Sequence, residues 1–216
     1  MKTFALVPLN GLDAAKSRLA GSLADADRRR LVRWMAHRVV GATMRSGAVE
    51  EVAVISPDPA LLAWARARGA TALRQHAGEL NDGLELGRRW ALARGADAVL
   101  VLLGDLALLQ GSEVAALVAY ARGGARAAVI APDRAGQGTN ALLVRPAALM
   151  PFAFGERSFG RHLALARDAG VEPAIYRSPG TQFDVDTAGD LAELRELANV
   201  PFALPVGRPY ARGEGA

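Results

Sequence analysis

The chain alternates short, strongly apolar runs with longer amphipathic stretches over most of its 216 residues. A run of about four to eight apolar residues bounded by turn residues is typical of a buried strand, and apolar residues repeating every three or four positions are typical of a helix. Strands that alternate with helices predict an α/β domain of three αβα layers around a mostly parallel sheet. No single motif constrains the fold as strongly as this alternation of strands and helices.

The individual runs can be assigned from these patterns. Strands are predicted over residues 3–9, 51–56, 70–73, 98–103, 127–131, 141–144 and 173–176. Helices are predicted over residues 26–45, 60–68, 81–94, 112–120, 159–169 and 187–197. Run 98–103 is the most apolar, so we expect it at the centre of the sheet.

Composition narrows the class of protein. Cysteine is absent, which excludes disulfides, thiolate metal sites and cysteine nucleophiles and favours a reducing cytoplasm. We find neither a signal peptide nor an apolar stretch near the roughly 20 residues that a membrane span requires. One domain over residues 1–198 is therefore predicted, followed by an irregular Pro- and Gly-containing tail over 199–216.

The chain carries a formal net charge of +4. Arginines are spread over several predicted helices without interleaved aromatic residues, so we expect no nucleic-acid partner. Of the 26 basic residues, only Lys2 and Lys16 are lysines. A lysine in an N-terminal loop of such a chain is a candidate phosphate contact, because its ammonium is compact and mobile.

Three aspartates lie where strands are predicted to end. Asp105 follows the run 98–103, and Asp184 and Asp186 lie in Phe-Asp-Val-Asp-Thr before the last predicted helix. In an extended backbone Asp184 and Asp186 point to the same side, with Val185 turned away. Such carboxylates suit Mg²⁺ held against substrate phosphates. The alternative, which the residues alone leave open, makes Asp105 a loop residue and Asp186 a helix cap.

The loop after the first strand supplies Gly11 for close backbone approach and Lys16, Ser17 and Arg18 for anionic oxygens. It has neither the spacing of a P-loop nor that of a dinucleotide-binding loop, so a hydrolytic motor or an NAD enzyme is disfavoured. A solvated loop that runs into a helix remains the alternative.

Several segments together resemble the 2-phospho-L-lactate guanylyltransferase family over roughly residues 3 to 198. They are Val-Pro-Leu (7–9), Ala-Lys-Ser-Arg-Leu (15–19), Glu-Leu-Asn (79–81), Gly-Thr-Asn-Ala-Leu (138–142), Phe-Gly-Glu-Arg-Ser-Phe (154–159) and Asp-Val-Asp-Thr (184–187). The resemblance implies a nucleotidyltransferase fold of the nucleotide-diphospho-sugar transferase (GT-A) type. It also implies a step in coenzyme F-420 biosynthesis, with 2-phospho-L-lactate, phosphoenolpyruvate or 3-phospho-D-glycerate as acceptor of GMP from GTP.

The resemblance also implies residue roles. Mg²⁺ ligands are expected at Asp105, Asp184 and Asp186; acceptor contacts at Thr139, Gly155 and Ser158; nucleotide contacts at Gly11, Lys16, Arg18 and Asn81; and catalytic roles at Lys16 and Asp105. Expected partners are GTP and a small phosphorylated carboxylic acid, without a membrane, and a homodimer is a possible assembly. Two departures stand out. Many relatives have Lys where this chain has Asn10, and Pro-Ala-Asp-Leu-Pro in place of its residues 103–107.

The predicted chemistry agrees with what the chain lacks. A phosphate monoester is already mostly a dianion at neutral pH, so its attack on the α-phosphorus of a nucleotide needs charge neutralisation and positioning more than a protein nucleophile. Two alternatives stay open at this point. One is another nucleotidyltransferase of the same fold, acting on a sugar phosphate or molybdopterin; the other is a non-catalytic nucleotide-binding module.

Overall fold

The computed structural model describes residues 1–12, 16, 19–76 and 78–198. The strands are Thr3–Pro8 (β1), Glu51–Ser56 (β2), Thr71–Arg74 (β3), Ala98–Leu102 (β4), Ala127–Pro132 (β5), Thr139–Arg145 (β6) and Ala174–Ile175 (β7). The α-helices are Asp25–Arg45 (α1), Pro59–Arg66 (α2), Leu80–Leu92 (α3), Gly111–Tyr120 (α4), Ser158–Asp168 (α5), Pro179–Gln182 (α6) and Ala188–Leu197 (α7). None of these helices is both long and apolar enough to cross a membrane.

The described strands form one seven-stranded sheet in the order β3-β2-β1-β4-β6-β5-β7. The pairs β1 with β2, β1 with β4, β2 with β3 and β5 with β7 are parallel. Strand β6 runs antiparallel to both of its neighbours. The predicted α/β class with a mostly parallel sheet is confirmed, and β4 occupies the predicted central position.

Helices cover both faces of the sheet, which gives the three predicted layers. Alternating residues of β1 show the division: Ala5 and Val7 pack into one buried cluster, and Phe4 and Leu6 into the other. Helices α1, α2, α4 and α7 contribute to the first cluster, and α3 and α5 to the second. A central sheet buried on both faces explains why its strands read as nearly continuous apolar runs.

The reversed direction of β6 brings its first residues to the edge where β1 and β4 end. The backbone N–H of Leu103, just after β4, donates to the carbonyl oxygen of Asn140 near the start of β6 at 3.0 Å. The loop after β4 and the Thr139–Asn140 dipeptide therefore lie side by side. Ligands of open α/β sheets bind at this edge.

One local prediction is wrong. Asp184 and Asp186 do not follow a strand, because the preceding element is the short helix α6, which begins at Pro179 after the Ser178 cap. Residues 183–187 then run without regular secondary structure. Phe183 and Val185 are buried while both aspartates are partly exposed, so the expected alternation of side chains is present without sheet pairing. The predicted tail, residues 199–216, lies outside the part of the chain that the structure describes.

Candidate active site

Lys16 joins two of the predicted site aspartates. Its Nζ donates to Asp105 Oδ2 and to Asp186 Oδ1, each at 2.6 Å. The lysine side chain is only 11% exposed. Burial alone would lower the pKa of Lys16, but the two carboxylates outweigh burial and the pKa is raised. The ammonium is therefore charged and is shared by both carboxylates, so the three groups together keep a net negative charge.

Asp184 completes this acidic cluster, which we define as Asp105, Asp184 and Asp186. Burial, followed by the nearby charges of Asp105 and Asp186, raises the pKa of Asp184 to about 6. Asn140 opposes this shift by donating from Nδ2 to Asp184 Oδ1 at 3.3 Å, and the same amide donates to the carbonyl oxygen of Thr181 at 3.0 Å. The three aspartates thus share one electrostatic environment.

The helix-cap alternative for Asp186 is wrong. Thr187 is the N-cap of α7, since its side chain accepts from the N–H of Asp190 while the Asp190 carboxylate accepts from Thr187. Asp186 instead directs its carboxylate to Lys16. The residue that caps the helix is one position later, which leaves Asp186 for the cluster.

The cluster suits a hard cation only in combination with substrate oxygens. Among the described residues, no group of three or more His, Cys, Asp or Glu side chains is arranged to hold a metal ion. Asp105 Oδ1, however, is buried and has no hydrogen-bond partner. Mg²⁺ is commonly bound by one or two carboxylates together with substrate phosphates. The unpaired oxygen of Asp105 and the neighbouring carboxylates are therefore oxygen donors of the kind that fits Mg²⁺.

A cavity of about 190 Å³ opens where β1, β2 and β3 end. Its wall includes Asn10, Pro57 and Gln75, and it extends to Gly78, Glu79 and Leu80 at the start of α3. Gly11 lies beside this wall, where an added β-carbon would be 3.9 Å from Pro57 Cγ. The residues that the structure describes therefore leave room at Gly11, as close approach of a ligand requires.

Asn81, predicted to lie near the nucleotide, directly follows Leu80 of the cavity wall, but its side chain is directed elsewhere. Its Oδ1 accepts from the backbone N–H of Phe154 at 2.9 Å, and its Nδ2 donates to the carbonyl oxygen of Phe154 at 3.1 Å. The side chain therefore bridges α3 and the loop that carries Gly155.

The predicted acceptor residues Thr139 and Ser158 lie together. Ser158 Oγ accepts from the N–H of Thr139 at 2.9 Å, and Thr139 Oγ1 lies 2.9 Å from His162 Nδ1. His162 Nε2 accepts from the N–H of Ala153 at 3.0 Å. Burial, aided by Arg161, lowers the pKa of His162 to about 4, so the ring is neutral and its one proton is on Nδ1, donated to Thr139.

Gly155 lies exposed on the same loop with φ +117°, a region that favours glycine. An added β-carbon would also be 3.3 Å from Arg161 Nη2. Arg161 in turn donates to the carbonyl oxygen of Glu156 at 2.7 Å. The loop conformation therefore depends on glycine here.

Seven of the predicted site residues form two groups, and residues that were not predicted connect the groups. Lys16, Asp105, Asp184 and Asp186 form one group, and Thr139, Gly155 and Ser158 the other; Arg18 lies outside the described residues. Sequence reasoning missed the amide of Asn140 that holds Asp184, although Asn140 lies within a recognised motif. The His162 ring is a further connection, because it ties Thr139 to Ala153.

Comparison with known proteins identifies the family. Residues 3–197 match the family model described as guanylyl transferase CofC-like. The chain belongs to this family. It is a nucleotidyltransferase of the guanylyltransferase kind, and it is 46% identical over 202 residues to the phosphoenolpyruvate guanylyltransferase of Rubrobacter xylanophilus, covering 94% of this chain and 98% of that protein. The 2-phospho-L-lactate guanylyltransferase of Methanothermobacter thermautotrophicus is 35% identical over 195 residues, with 90% and 84% covered.

Solved structures agree on the fold. A crystal structure described as a nucleotide-diphospho-sugar transferase from Desulfovibrio desulfuricans G20 superposes with a TM-score of 0.75 at 18% identity, covering 90% of this chain and 87% of that one. A 4-diphosphocytidyl-2C-methyl-D-erythritol synthase gives 0.63 at 17% identity, covering 91% and 97%. The predicted nucleotidyltransferase fold is confirmed.

Proposed function

We propose that this guanylyltransferase moves GMP from GTP to the phosphate of a small phosphorylated carboxylic acid and releases pyrophosphate. A phosphate oxygen of the acceptor forms a bond to the α-phosphorus of GTP. The bond from that phosphorus to the bridging oxygen breaks, and the electron pair leaves with pyrophosphate. The observation that carries the proposal is Lys16 bridging Asp105 and Asp186 at the ligand-binding edge of the sheet.

The acidic cluster and Lys16 would have different electrostatic roles: the cluster would hold Mg²⁺, and Lys16 would contact the triphosphate. When bound, Mg²⁺ would be held by Asp105 and its neighbours Asp184 and Asp186, and would neutralise phosphate charge. Lys16, released from the carboxylates, would contact the triphosphate and stabilise the charge that develops on the leaving pyrophosphate. Gly11 and the cavity beside it leave space for the rest of the nucleotide.

The Thr139 group suits an anionic acceptor. Ser158 Oγ accepts from a backbone N–H and Thr139 Oγ1 accepts from His162, so each hydroxyl keeps its own proton to donate. Neutral donors beside an exposed glycine backbone fit a carboxylate next to a phosphate. Phosphoenolpyruvate is the first acceptor to test, because two relatives that are 46% and 45% identical to this chain are named phosphoenolpyruvate guanylyltransferase. The product would then serve coenzyme F-420 biosynthesis.

Pyrophosphate release tests the proposal directly. The enzyme is incubated with Mg²⁺ and either GTP or ATP, and with phosphoenolpyruvate, 2-phospho-L-lactate or 3-phospho-D-glycerate. We expect release with GTP and at least one of these acceptors, fastest with phosphoenolpyruvate, and a guanylylated product of matching mass. Absence of release with all three acceptors contradicts the proposal and favours another acceptor class on the same fold.

A further inference from the structure

One amide side chain connects the two halves of the cleft. Asn81 is the second residue of α3, directly after Leu80 in the cavity wall. The oxygen and the nitrogen of its side-chain amide each form a hydrogen bond with the backbone of Phe154, which is 73 positions away in the chain. The N–H and the carbonyl of Phe154 belong to the two peptide groups on either side of its Cα, so a side chain that binds both fixes the backbone of that residue.

The fixed residue lies directly before Gly155. Phe154 is buried, and its ring meets the His162 ring edge-on at a centroid distance of 4.8 Å. Gly155, by contrast, is exposed and its conformation is restricted by φ +117°. A shift in the Phe154 peptide must therefore move Gly155 as well, because the two residues share a peptide bond.

A second contact from the same helix supports this arrangement. Arg88 Nη2 donates to the carbonyl oxygen of Met150 at 2.9 Å, and its guanidinium lies 3.8 Å from the centroid of the Phe152 ring. Helix α3 thus holds the loop at two points, Met150–Phe152 and Phe154. Of these two α3 residues, Asn81 is the one that reaches the peptide next to Gly155, and Arg161 of α5 also donates to the carbonyl oxygen of Phe154, at the longer distance of 3.4 Å.

We propose that Asn81 is a positioning residue for the acceptor, acting through Phe154, and not primarily a nucleotide contact. This assignment rests on the proposed function for the identity of the acceptor, but the contact itself does not. Asn81 holds the Gly155 backbone at the place where the acceptor binds. Because Asn81 directly follows Leu80 of the cavity wall, it also connects the loop that carries Gly155 to the nucleotide half of the cleft. Loss of the amide should therefore weaken acceptor use far more than GTP binding.

Hydrogen exchange of the substrate-free enzyme tests the contact. In Asn81→Ala we expect faster exchange of the Phe154 amide, while the sheet amides of β4 stay protected. Asp82→Ala is the matched control: Asp82 Oδ2 accepts from the N–H of Glu79 at 2.8 Å and supports the first turn of α3 without touching the loop. It should weaken α3 and leave the Phe154 amide protected. Equal exchange at Phe154 in wild type and Asn81→Ala would overturn the proposal.

Kinetics then separates positioning from general stability. In Asn81→Ala we expect the KM for the acceptor to rise about tenfold, and GTP affinity by calorimetry to change by less than about twofold. Asp82→Ala should leave the acceptor KM near the wild-type value. Equal losses for both substrates, or a loss of GTP affinity alone, would return Asn81 to the nucleotide site.

An isosteric variant keeps the test decisive if alanine prevents folding. Asn81→Asp retains an oxygen for the N–H of Phe154 but has no donor for its carbonyl. We expect a protected Phe154 amide and an acceptor KM between those of wild type and Asn81→Ala. If the wild-type enzyme releases no pyrophosphate, the proposed function fails, while the exchange data still decide whether Asn81 holds the loop.

Discussion

The two halves of the cleft are built differently. On the acceptor side, Thr139, Ser158, His162 and the loop around Phe154 are joined by buried or partly buried hydrogen bonds that involve side chains. On the nucleotide side, the carboxylates of Asp105 and Asp186 share the ammonium of Lys16, and an open cavity lies at the ends of β1, β2 and β3. The acceptor half is thus preorganised, whereas under the proposed function the nucleotide half must exchange an internal ion pair for contacts with GTP.

This comparison makes the acidic cluster the most sensitive point. We expect Asp105→Asn to lower turnover about a thousandfold or more, because it removes charge that the metal and triphosphate require. Asp97→Asn is the control, since Asp97 lies exposed just before β4, at the opposite end of that strand. Steady-state kinetics measures both, and near-normal turnover in Asp105→Asn would reject the site.

Stability should separate Asp105 from Asp184. Asp105→Asn removes a partner of buried Lys16 and should lose stability. Asp184→Asn should gain roughly 1–3 kcal/mol at pH 7.5 without metal. The pKa of Asp184 is raised to about 6, so above that pH folding places an already ionised carboxylate in an unfavourable site. Chemical unfolding of both variants measures the difference.

The next largest effect should belong to Lys16. We expect Lys16→Ala to raise the KM for GTP about 10- to 100-fold, because one charged contact with the triphosphate is lost. The KM for the acceptor should change much less. Lys2→Ala serves as the control, because Lys2 is the other lysine of the chain and is exposed. Equal changes in the two KM values would show that the halves of the cleft are not electrostatically distinct.

The preorganised half should be sensitive to acid. The pKa of His162 is lowered to about 4 in the folded protein from the ordinary 6.5, so the unfolded chain binds more protons between these values. Stability from this residue is present above pH 6.5 and is lost as pH falls, by about 2 kcal/mol at pH 5. His162→Gln removes this part of the pH dependence. Parallel unfolding free energies of wild type and variant from pH 7.5 to 5 would contradict a buried neutral ring.

Glycine substitutions test the loop with the smallest change in volume. Gly155→Ala should weaken acceptor binding by about tenfold while GTP still binds, because alanine is strained at φ +117° and crowds Arg161. Gly160→Ala is the control on α5, where no described atom lies within 4 Å of an added β-carbon. Calorimetry with each substrate separately measures the effect. Unchanged acceptor affinity with loss of GTP binding would place this loop in the nucleotide half.

Periodicity predicted the layers and the central strand because burial on both faces of a sheet leaves a direct trace in the sequence. It did not predict that β6 is antiparallel, since an apolar run has no direction. The short helix α6 was also missed, and with it the correct element before Asp184. Four residues are too few for a helical repeat, although Ser178 and Pro179 carried a local start signal.

Motifs found the charged residues of the site, but neither the role of Asn140, whose amide holds Asp184, nor the partner of Asn81. Carboxylates near strand ends are unusual enough to be noticed in a sequence. The roles of Asn140 and Asn81 depend on partners 44 and 73 positions away, which no local pattern specifies. The domain limits and the metal remain predictions.

The contact between Lys16 and Asp186 spans 170 positions of the chain. During synthesis β1 to β4 leave the ribosome well before residues 183–187, because a chain emerges from its N-terminus. When the strands that border the cavity have emerged, the acidic cluster therefore still lacks two of its three carboxylates. Under the proposed function, catalytic competence is gained only when synthesis is nearly complete, and a protease that removes α7 together with Asp184 and Asp186 would silence the enzyme.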